Sequence, residues 1–355
     1  MQQSTLMRPL LEHVGSLRLA LAWLLLLGLG VVVGYVHEPA RLAALGIPFV
    51  LLAAGLGAAL AVNPRFRRQL PLLVFHLALL AVLLLAVVGR LTTLQGRFEL
   101  TEGFRFDGEL LDHEAGPLHL WRLQEAAFEQ HGFRIDYAPG LKRGPTRNAV
   151  QWTDEDGRLQ RAVIGDHRPL VLAGYRFYTT PNKGFAPVFT WWPAEGGPPV
   201  RGAVHLPSYP AQALRQAREW TMPGGTHLWV MLATDETVID PQRRDAFRMP
   251  RSQHVVVRSG EARHEMHPGD RVQIGQGVLA YDGLRTWMGY RVYADWTLPW
   301  LLAASLLAAL ALGLHYWRRF QSLSWTAVPA GAQPAPAAQR RARSTVPDLP
   351  APRRT

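Results

Sequence analysis

The sequence predicts an α-helical membrane protein with four transmembrane helices in a 3+1 arrangement and a large β-rich extracytoplasmic domain inserted between helices 3 and 4. The 355 residues are 48% hydrophobic and only 18% charged, and the apolar residues collect in four blocks instead of being spread evenly as in a globular domain. Each block is close to the roughly 20 apolar residues that cross a bilayer. The blocks lie at about 19–36, 42–62, 70–89 and 298–317, and the polar domain at 91–297.

The N-terminal region, residues 1–90, holds three of these blocks. Residues 1–18 form a short basic lead, and the first block continues through Tyr35, His37 and Glu38 towards the second. A secretory signal peptide would have a shorter apolar region and a small-x-small cleavage site, so we expect an uncleaved span. Gly30 and Gly34 form a GxxxG pair that would let another helix approach closely.

Arginines predict the orientation of the chain. A very short loop after the second block contains Arg65, Arg67 and Arg68, and such loops are cytoplasmic under the positive-inside rule. The last block is followed by residues 318–355, a basic, Pro/Ala-rich tail that we expect to be cytoplasmic and disordered. The sequence therefore predicts a multi-pass protein of the bacterial inner membrane, with both termini cytoplasmic and the large domain periplasmic.

The sequence pattern of the external domain predicts mostly β-strands. Residues 149–153 and 158–164 flank Asp-Glu-Asp-Gly at 154–157, which is a hairpin signal. Further strands are expected at 254–258, 261–266 and 271–274. Two stretches, 118–130 and 211–220, have the apolar spacing of helices. With roughly 200 residues, the domain can bury a sandwich-like core.

Composition excludes several classes of function. The net charge of +11 would suggest nucleic acid in a soluble chain, but much of the excess lies beside the apolar blocks, so we expect no nucleic-acid partner. The chain has no cysteine and therefore cannot exchange thiols, form a thioether or hold an iron–sulfur cluster. It also lacks the GxxxxGK[ST] and GxSxG motifs, and we expect no catalytic residues and no enzyme activity of the chain alone.

His76 is the only titratable side chain well inside the third apolar block, six residues after Leu70 or about 9 Å along a helix. We expect its own helix to leave it unsatisfied, since the positions three and four residues away are all leucine: Leu72, Leu73, Leu79 and Leu80. A polar partner must then come from another helix, a backbone carbonyl or a ligand. Ionisable groups inside membranes are functional candidates, and the alternative is a histidine bonded to a neighbouring helix.

The other histidines form no predicted metal site. His264 and His267 have a suggestive spacing, but a strand would place them on opposite faces. His113, His119 and His131 share no common period.

Three stretches carry a resemblance to a known family. Residues 15–20, Gly-Ser-Leu-Arg-Leu-Ala, are similar to a Ser-x-Arg-Leu-Ala start of a first helix; Phe75-His76-Leu77 lies where the family has a transmembrane histidine; and residues 169–178 are similar to its Pro-Leu, Gly, Phe-Tyr strand. With the predicted topology, the chain resembles the ResB (CcsB) family, the membrane subunit of System II for c-type cytochrome assembly. It departs from many members at Ala294-Asp295-Trp296, where they have Asp-Pro-Gly.

The resemblance implies a function and partners. His76 would be one axial ligand of haem shared with a ResC/CcsA-type haem-handling membrane protein, for covalent attachment to apocytochrome c. The second ligand would come from that partner, because no other histidine of this chain is expected at the depth of His76. His315 is expected to lie nearer the cytoplasmic surface. A thiol-reducing ResA/CcsX-type protein is a further expected partner. The alternative from another class is a membrane-anchored extracytoplasmic scaffold or binding protein with no direct haem ligation.

Overall fold

The computed structural model of the protein describes residues 3–222 and 225–321, so most of the predicted cytoplasmic tail lies outside the described residues. Within them, the helices are α1 (Gln3–Val14), α2 (Leu17–Val36), α3 (Arg41–Val62), α4 (Pro64–Arg68), α5 (Leu70–Thr92) and α6 (Leu298–Gln321). Two 3-10 helices occupy Glu38–Ala40 and Leu123–Ala126. The residues expected to be a short basic lead thus include a helix, α1.

Four of the helical segments are long and apolar enough to cross a membrane, in agreement with the four apolar blocks. They are Leu17–Val36, Glu38–Val62, Leu70–Thr92 and Leu298–Gln321, with mean hydropathies of 2.4, 2.3, 2.9 and 1.8. Glycine brings α2 and α3 close together, since a Cβ on Gly30 would lie 2.0 Å from the carbonyl oxygen of Ala44. α5 packs against both α3 and α6.

All strand pairs in the described chain are antiparallel, and they form four sheets. The strands are β1 (Leu94–Thr101), β2 (Asp112–Ala115), β3 (Glu129–Arg134), β4 (Asp136–Ala138), β5 (Lys142–Arg143), β6 (Arg147–Thr153), β7 (Leu159–Ile164), β8 (Leu170–Leu172), β9 (Tyr175–Pro193), β10 (Val200–Ala203), β11 (Ala217–Thr221), β12 (His227–Ala233), β13 (Asp245–Ala246), β14 (His254–Ser259), β15 (Ala262–Met266), β16 (Arg271–Ile274) and β17 (Gly277–Ala294).

The largest sheet has seven strands and is built on the long pair β9 and β17. Its main order is β10-β9-β17-β1-β2, with β8 added to β9 and β16 to β17. The other sheets have the orders β11-β12-β14-β15, β13-β4-β5 and β3-β6-β7. One continuous hydrophobic core joins all four, so the predicted sandwich-like core is made from four sheets. The rings of Phe98 and Tyr290 stack in it at 4.9 Å.

The predicted hairpin and three predicted strands are confirmed. β6 and β7 pair around a turn in which Gly157 has a φ of +77°, a conformation that costs glycine little. β14, β15 and β16 occupy the expected positions within a residue.

Both predicted helices of the external domain are wrong. In residues 118–130 only Leu123–Ala126 is helical, and as a single 3-10 turn, because Leu118 bonds to the end of α5 and Gln130 pairs in β3. Residues 211–214 form a turn, and Ala217–Thr221 pairs with β12 as a strand. Tertiary pairing overrides helical spacing in both cases.

The helix pair α5 and α6 continues almost directly into the strand pair β1 and β17. Only Thr93 separates α5 from β1, and residues 295–297 separate β17 from α6. The hydroxyl of Thr93 donates to the carbonyl of Ala294, and the backbone N–H and hydroxyl of Thr297 both donate to Asp295. The membrane-facing end of the domain is therefore tied closely to the two helices.

Candidate functional site

His76 lies near the start of α5 and is half-buried. The helix begins after Gln69, whose extended backbone breaks it from α4, and Pro71 stands in its first turn, where a missing N–H is harmless. The sequence thus starts a new helix directly after the arginine loop, which sets His76 about 9 Å from its beginning.

The Nδ1 atom of His76 lies 2.7 Å from the carbonyl oxygen of Leu72. The expectation that its own helix would leave the histidine unsatisfied is therefore wrong. The leucine side chains offer nothing polar, but the imidazole reaches back one turn to a backbone carbonyl, the direction in which helical side chains point. The sequence left three kinds of partner open for His76: another helix, a backbone carbonyl or a ligand. The structure gives Nδ1 a backbone carbonyl.

This bond determines which nitrogen carries the proton. A carbonyl oxygen can only accept, so Nδ1 must donate, and in the neutral ring Nε2 then holds a lone pair. Nε2 makes no hydrogen bond to any residue that the structure describes. The arrangement is the one usual for metal-bound histidines, in which the second nitrogen donates to a carbonyl and fixes the ring.

Two aromatic rings pack on the imidazole. Phe75 meets it edge-on at 5.0 Å, and Phe66, from α4, lies at 4.5 Å with the rings tilted by 54°. The short arginine-rich helix therefore folds back so that its phenylalanine covers the histidine. The sequence had not indicated this role for Phe66, whose only signal was an apolar residue among arginines.

His315 lies further than His76 from the external domain, in line with the expectation that it is nearer the cytoplasmic end of its span. His76 is six residues after the start of α5, and His315 is six residues before the end of α6. The opposite ends of these helices meet, since a Cβ on Gly89 would touch the hydroxyl of Thr297. From that contact His76 is 13 residues back along α5, or about 20 Å, whereas His315 is 18 residues along α6, or about 27 Å. Its ring contacts Tyr316 edge-on at 5.5 Å.

Two histidines of the domain have both ring nitrogens bonded. His119 bonds to the carbonyl of Thr92 and to the hydroxyl of Tyr175, at 2.8 and 3.0 Å. His205 lies between Glu99 and Thr101, at 2.9 and 2.8 Å. A carboxylate, a histidine and a hydroxyl in this order resemble a catalytic relay, but Thr101 is only 2% exposed, so a substrate cannot reach its hydroxyl.

The remaining histidines do not assemble a metal centre. His264 faces Val257 across β14 and β15, whereas His267 packs against His254 with ring centroids 5.6 Å apart. Within residues 3–222 and 225–321, no group of three or more His, Cys, Asp or Glu side chains could hold a metal ion.

A carboxylate joins the helices to the external domain. Glu114 of β2 forms ion pairs with Arg90 at the end of α5, at 2.6 Å, and with Arg41 at the start of α3, at 3.7 Å. Arg41 also donates to the carbonyl of Gly34 at the end of α2. Three helices and one strand are thus linked at one level, and the sequence had not predicted this because the partners are far apart in the chain.

A buried cation lies in the domain away from the helices. Lys183 is 4% exposed, and burial lowers its pKa to about 8, with help from the nearby charge of Arg143 and against the attraction of Asp166. Its Nζ donates to the carbonyl of Pro181 at 3.0 Å and lies over the ring of Tyr137.

The model of the ResB-like family matches residues 65–333, which is more than half of the chain. The chain belongs to the ResB-like family. The match includes His76, the whole β-rich region and α6, so the family resemblance read from the sequence is confirmed. No curated protein matches this ResB-like chain.

Proposed function

We propose that this chain is the ResB-like component of a System II cytochrome c maturation machinery. In this role it helps to hold or pass haem across the membrane, together with a ResC/CcsA-type partner, for attachment to apocytochrome c. The observation that carries the proposal is His76, with Nδ1 fixed by the Leu72 carbonyl and Nε2 free of described partners, in an apolar helix of a family member.

The donor chemistry suits haem iron. A neutral imidazole nitrogen is a normal axial ligand, and apolar surroundings favour retention of the bound group. His76 would supply one ligand through Nε2. Its ring is already oriented by Leu72, Phe66 and Phe75, so little conformational freedom is lost on binding.

We assign the opposite ligand to the partner. His315 lies five residues further than His76 from the Gly89–Thr297 contact, and α6 packs directly on α5. Helices in such contact leave no room for a porphyrin between them. The partner's helix would approach the free face of α5. Because the chain has no cysteine, reduction of the client's thiols also requires another protein, of the ResA/CcsX type.

The proposed topology follows the arginines. α2, α3, α5 and α6 cross the bacterial inner membrane, the termini and the α4 loop are cytoplasmic, and the β-rich region inserted between α5 and α6 is periplasmic. His76 then lies in the cytoplasmic half of the bilayer. Haem held there would be at the start of its passage to the outer side.

The test is the absorption spectrum of the chain purified with its ResC-type partner. We expect a Soret band that is lost in His76→Ala and retained in His315→Ala, which removes the half-buried histidine of the neighbouring helix α6. Cytochrome c maturation should follow the band.

The alternative function is a membrane-anchored extracytoplasmic scaffold, favoured by the Leu72 bond because that bond already satisfies one polar atom of His76. It predicts the same spectrum and the same maturation in wild type and His76→Ala.

A further inference from the structure

An apolar loop projects from the base of the external domain. In it Leu118, Leu120 and Trp121 are 61%, 76% and 57% exposed. Together with Trp296, which is 55% exposed, these residues are called the outer rim. Large apolar side chains grouped in this way mark an interaction surface.

Hydrogen bonds fix the height of the loop relative to α5. The N–H of Leu118 donates to the carbonyl of Leu91, and Nδ1 of His119 bonds to the carbonyl of Thr92, both at 2.8 Å. Gly116 lies so close that a Cβ there would be 2.2 Å from the Leu91 oxygen. The loop is therefore held at the last turn of α5 and cannot lift away from it.

The last turn of α5 marks the level of the membrane surface in the proposed topology. The 23 residues of α5 are about 35 Å long, slightly more than the hydrocarbon core of roughly 30 Å. If α5 crosses the membrane, its last turn lies at the outer boundary between acyl chains and headgroups. The outer rim lies at the same level.

Trp296 belongs to the same surface. Its indole N–H donates to the hydroxyl of Thr92 at 3.1 Å, and it lines one cavity of about 280 Å³ with Leu118 and Leu120. Trp300, in the first turn of α6, is also 60% exposed. Tryptophan is enriched at this depth because its ring is apolar and its N–H is polar.

The neighbouring charges permit insertion. Arg122, which follows the loop, forms a bidentate ion pair with Glu125, and the Asp295 carboxylate beside Trp296 accepts hydrogen bonds from the N–H and the hydroxyl of Thr297. These charged groups are at the level where headgroups and water can solvate them.

We propose that the outer rim inserts into the interfacial region of the outer leaflet and rests the base of the domain on the bilayer. This inference rests on the proposed topology, in which α5 and α6 cross the membrane. The domain then has a fixed tilt relative to the lipid surface, set by contact on the side of the 116–121 loop as well as by the two helices.

The absence of cysteine makes the test direct, because one introduced cysteine carries the only label. The full chain is reconstituted in nanodiscs of phosphatidylethanolamine and phosphatidylglycerol, with an NBD fluorophore on Leu120→Cys, Leu214→Cys or Leu84→Cys. Quenching is measured with aqueous iodide, with a shallow doxyl lipid and with a deep doxyl lipid.

The two other sites are controls. Leu214 is 100% exposed in the turn after Tyr209, whose N–H bonds to the carbonyl of Lys183. Lys183 is eight residues along β9 from Tyr175, or about 26 Å from the membrane end of that strand. Leu84 is 50% exposed in the outer half of α5 and reports the span itself.

We expect iodide quenching at Leu120→Cys to be at least about threefold weaker than at Leu214→Cys, with strong quenching by the shallow lipid. Equal iodide quenching at 120 and 214, with Leu84→Cys still quenched by the deep lipid, would overturn the inference alone and assign the rim to a protein partner. Iodide access at Leu84→Cys would overturn the topology as well.

Discussion

The most informative perturbation is His76→Ala, because its cost to the fold can be worked out from the contacts. The substitution removes the Nδ1–H bond to the Leu72 carbonyl, which stays satisfied by the helical N–H of residue 76. Such a bond is worth about 1 kcal/mol, or somewhat less inside a membrane. The ring is only half-buried against Phe66 and Phe75, so we expect a total cost of about 1–2 kcal/mol.

This loss is small beside the 5–15 kcal/mol that typically stabilises a protein, so the variant should accumulate to normal levels. Haem binding should fall much further. Removing only the group that orients a metal-bound histidine costs about 10–100-fold in affinity, and removing the ligand itself should cost at least that. Added imidazole can occupy the vacated axial position and should restore part of the Soret band and of the maturation activity.

The assay compares protein abundance by immunoblot with the Soret band of the purified complex and with cytochrome c maturation. His76→Phe serves as a second variant, since a phenyl ring keeps the packing on Phe66 but offers no nitrogen. It should lose haem as fully as the alanine variant. A normal haem band with normal maturation in His76→Ala would refute the ligand role, and so would reduced abundance with no effect of imidazole.

Three further predictions concern topology, polar burial and pH. Reporter fusions after Arg68 should signal cytoplasm and fusions near Gly157 the outside, so a cytoplasmic signal at Gly157 would contradict the proposed orientation. Tyr290→Phe removes the hydroxyl that donates to the buried Asn148 amide, which should cost about 1–3 kcal/mol and lower the midpoint of thermal unfolding by about 2–4 °C per kcal/mol; an unchanged midpoint would refute this. Burial lowers the pKa of Lys183 to about 8 in the folded protein, against 10.5 for an ordinary lysine. Between these two pH values the unfolded chain binds more protons than the folded one, so the free energy of unfolding should rise with pH, by roughly 3 kcal/mol in all. Lys183→Met should lose that rise in the unfolding midpoint from about pH 8 to about pH 10, and the same rise in both proteins would exclude Lys183 as its source.

Sequence reasoning was most successful where one local rule determines the structure. Length and apolar content suffice for a span, and a turn of the Asp154–Gly157 type suffices for a hairpin because Gly157 accepts a positive φ. These features depend on neighbours in the chain.

It failed where distant parts of the chain decide. Leu120 and Trp121 have helical spacing with Ala127 and Phe128, yet the first two are exposed at the base of the domain and Phe128 is buried in its core. The hydrogen bonds from this stretch to the end of α5 draw the backbone away from a helix, and no local pattern reports them.

The position of the candidate site, His76, could be predicted from the sequence, but the contacts of its side chain could not. A lone histidine among leucines is visible as a pattern, whereas its bond to Leu72 requires the rotamer and its contact with Phe66 requires the fold of α4.

The direct continuation of α5 and α6 into β1 and β17 limits how force can travel through the molecule. The two strands pair from Leu94 with Ala294 to Thr101 with Trp287, and a slip of one residue would turn every side chain to the wrong face of the sheet. A slip of two residues would need about 6.8 Å, more than a full helical turn of about 5.4 Å. α5 and α6 therefore cannot slide past each other in small steps, and each helix moves together with the strand that continues it. His76 is about 24 Å from the end of α5, so a displacement there reaches the external domain as a tilt of α5 and the attached sheet.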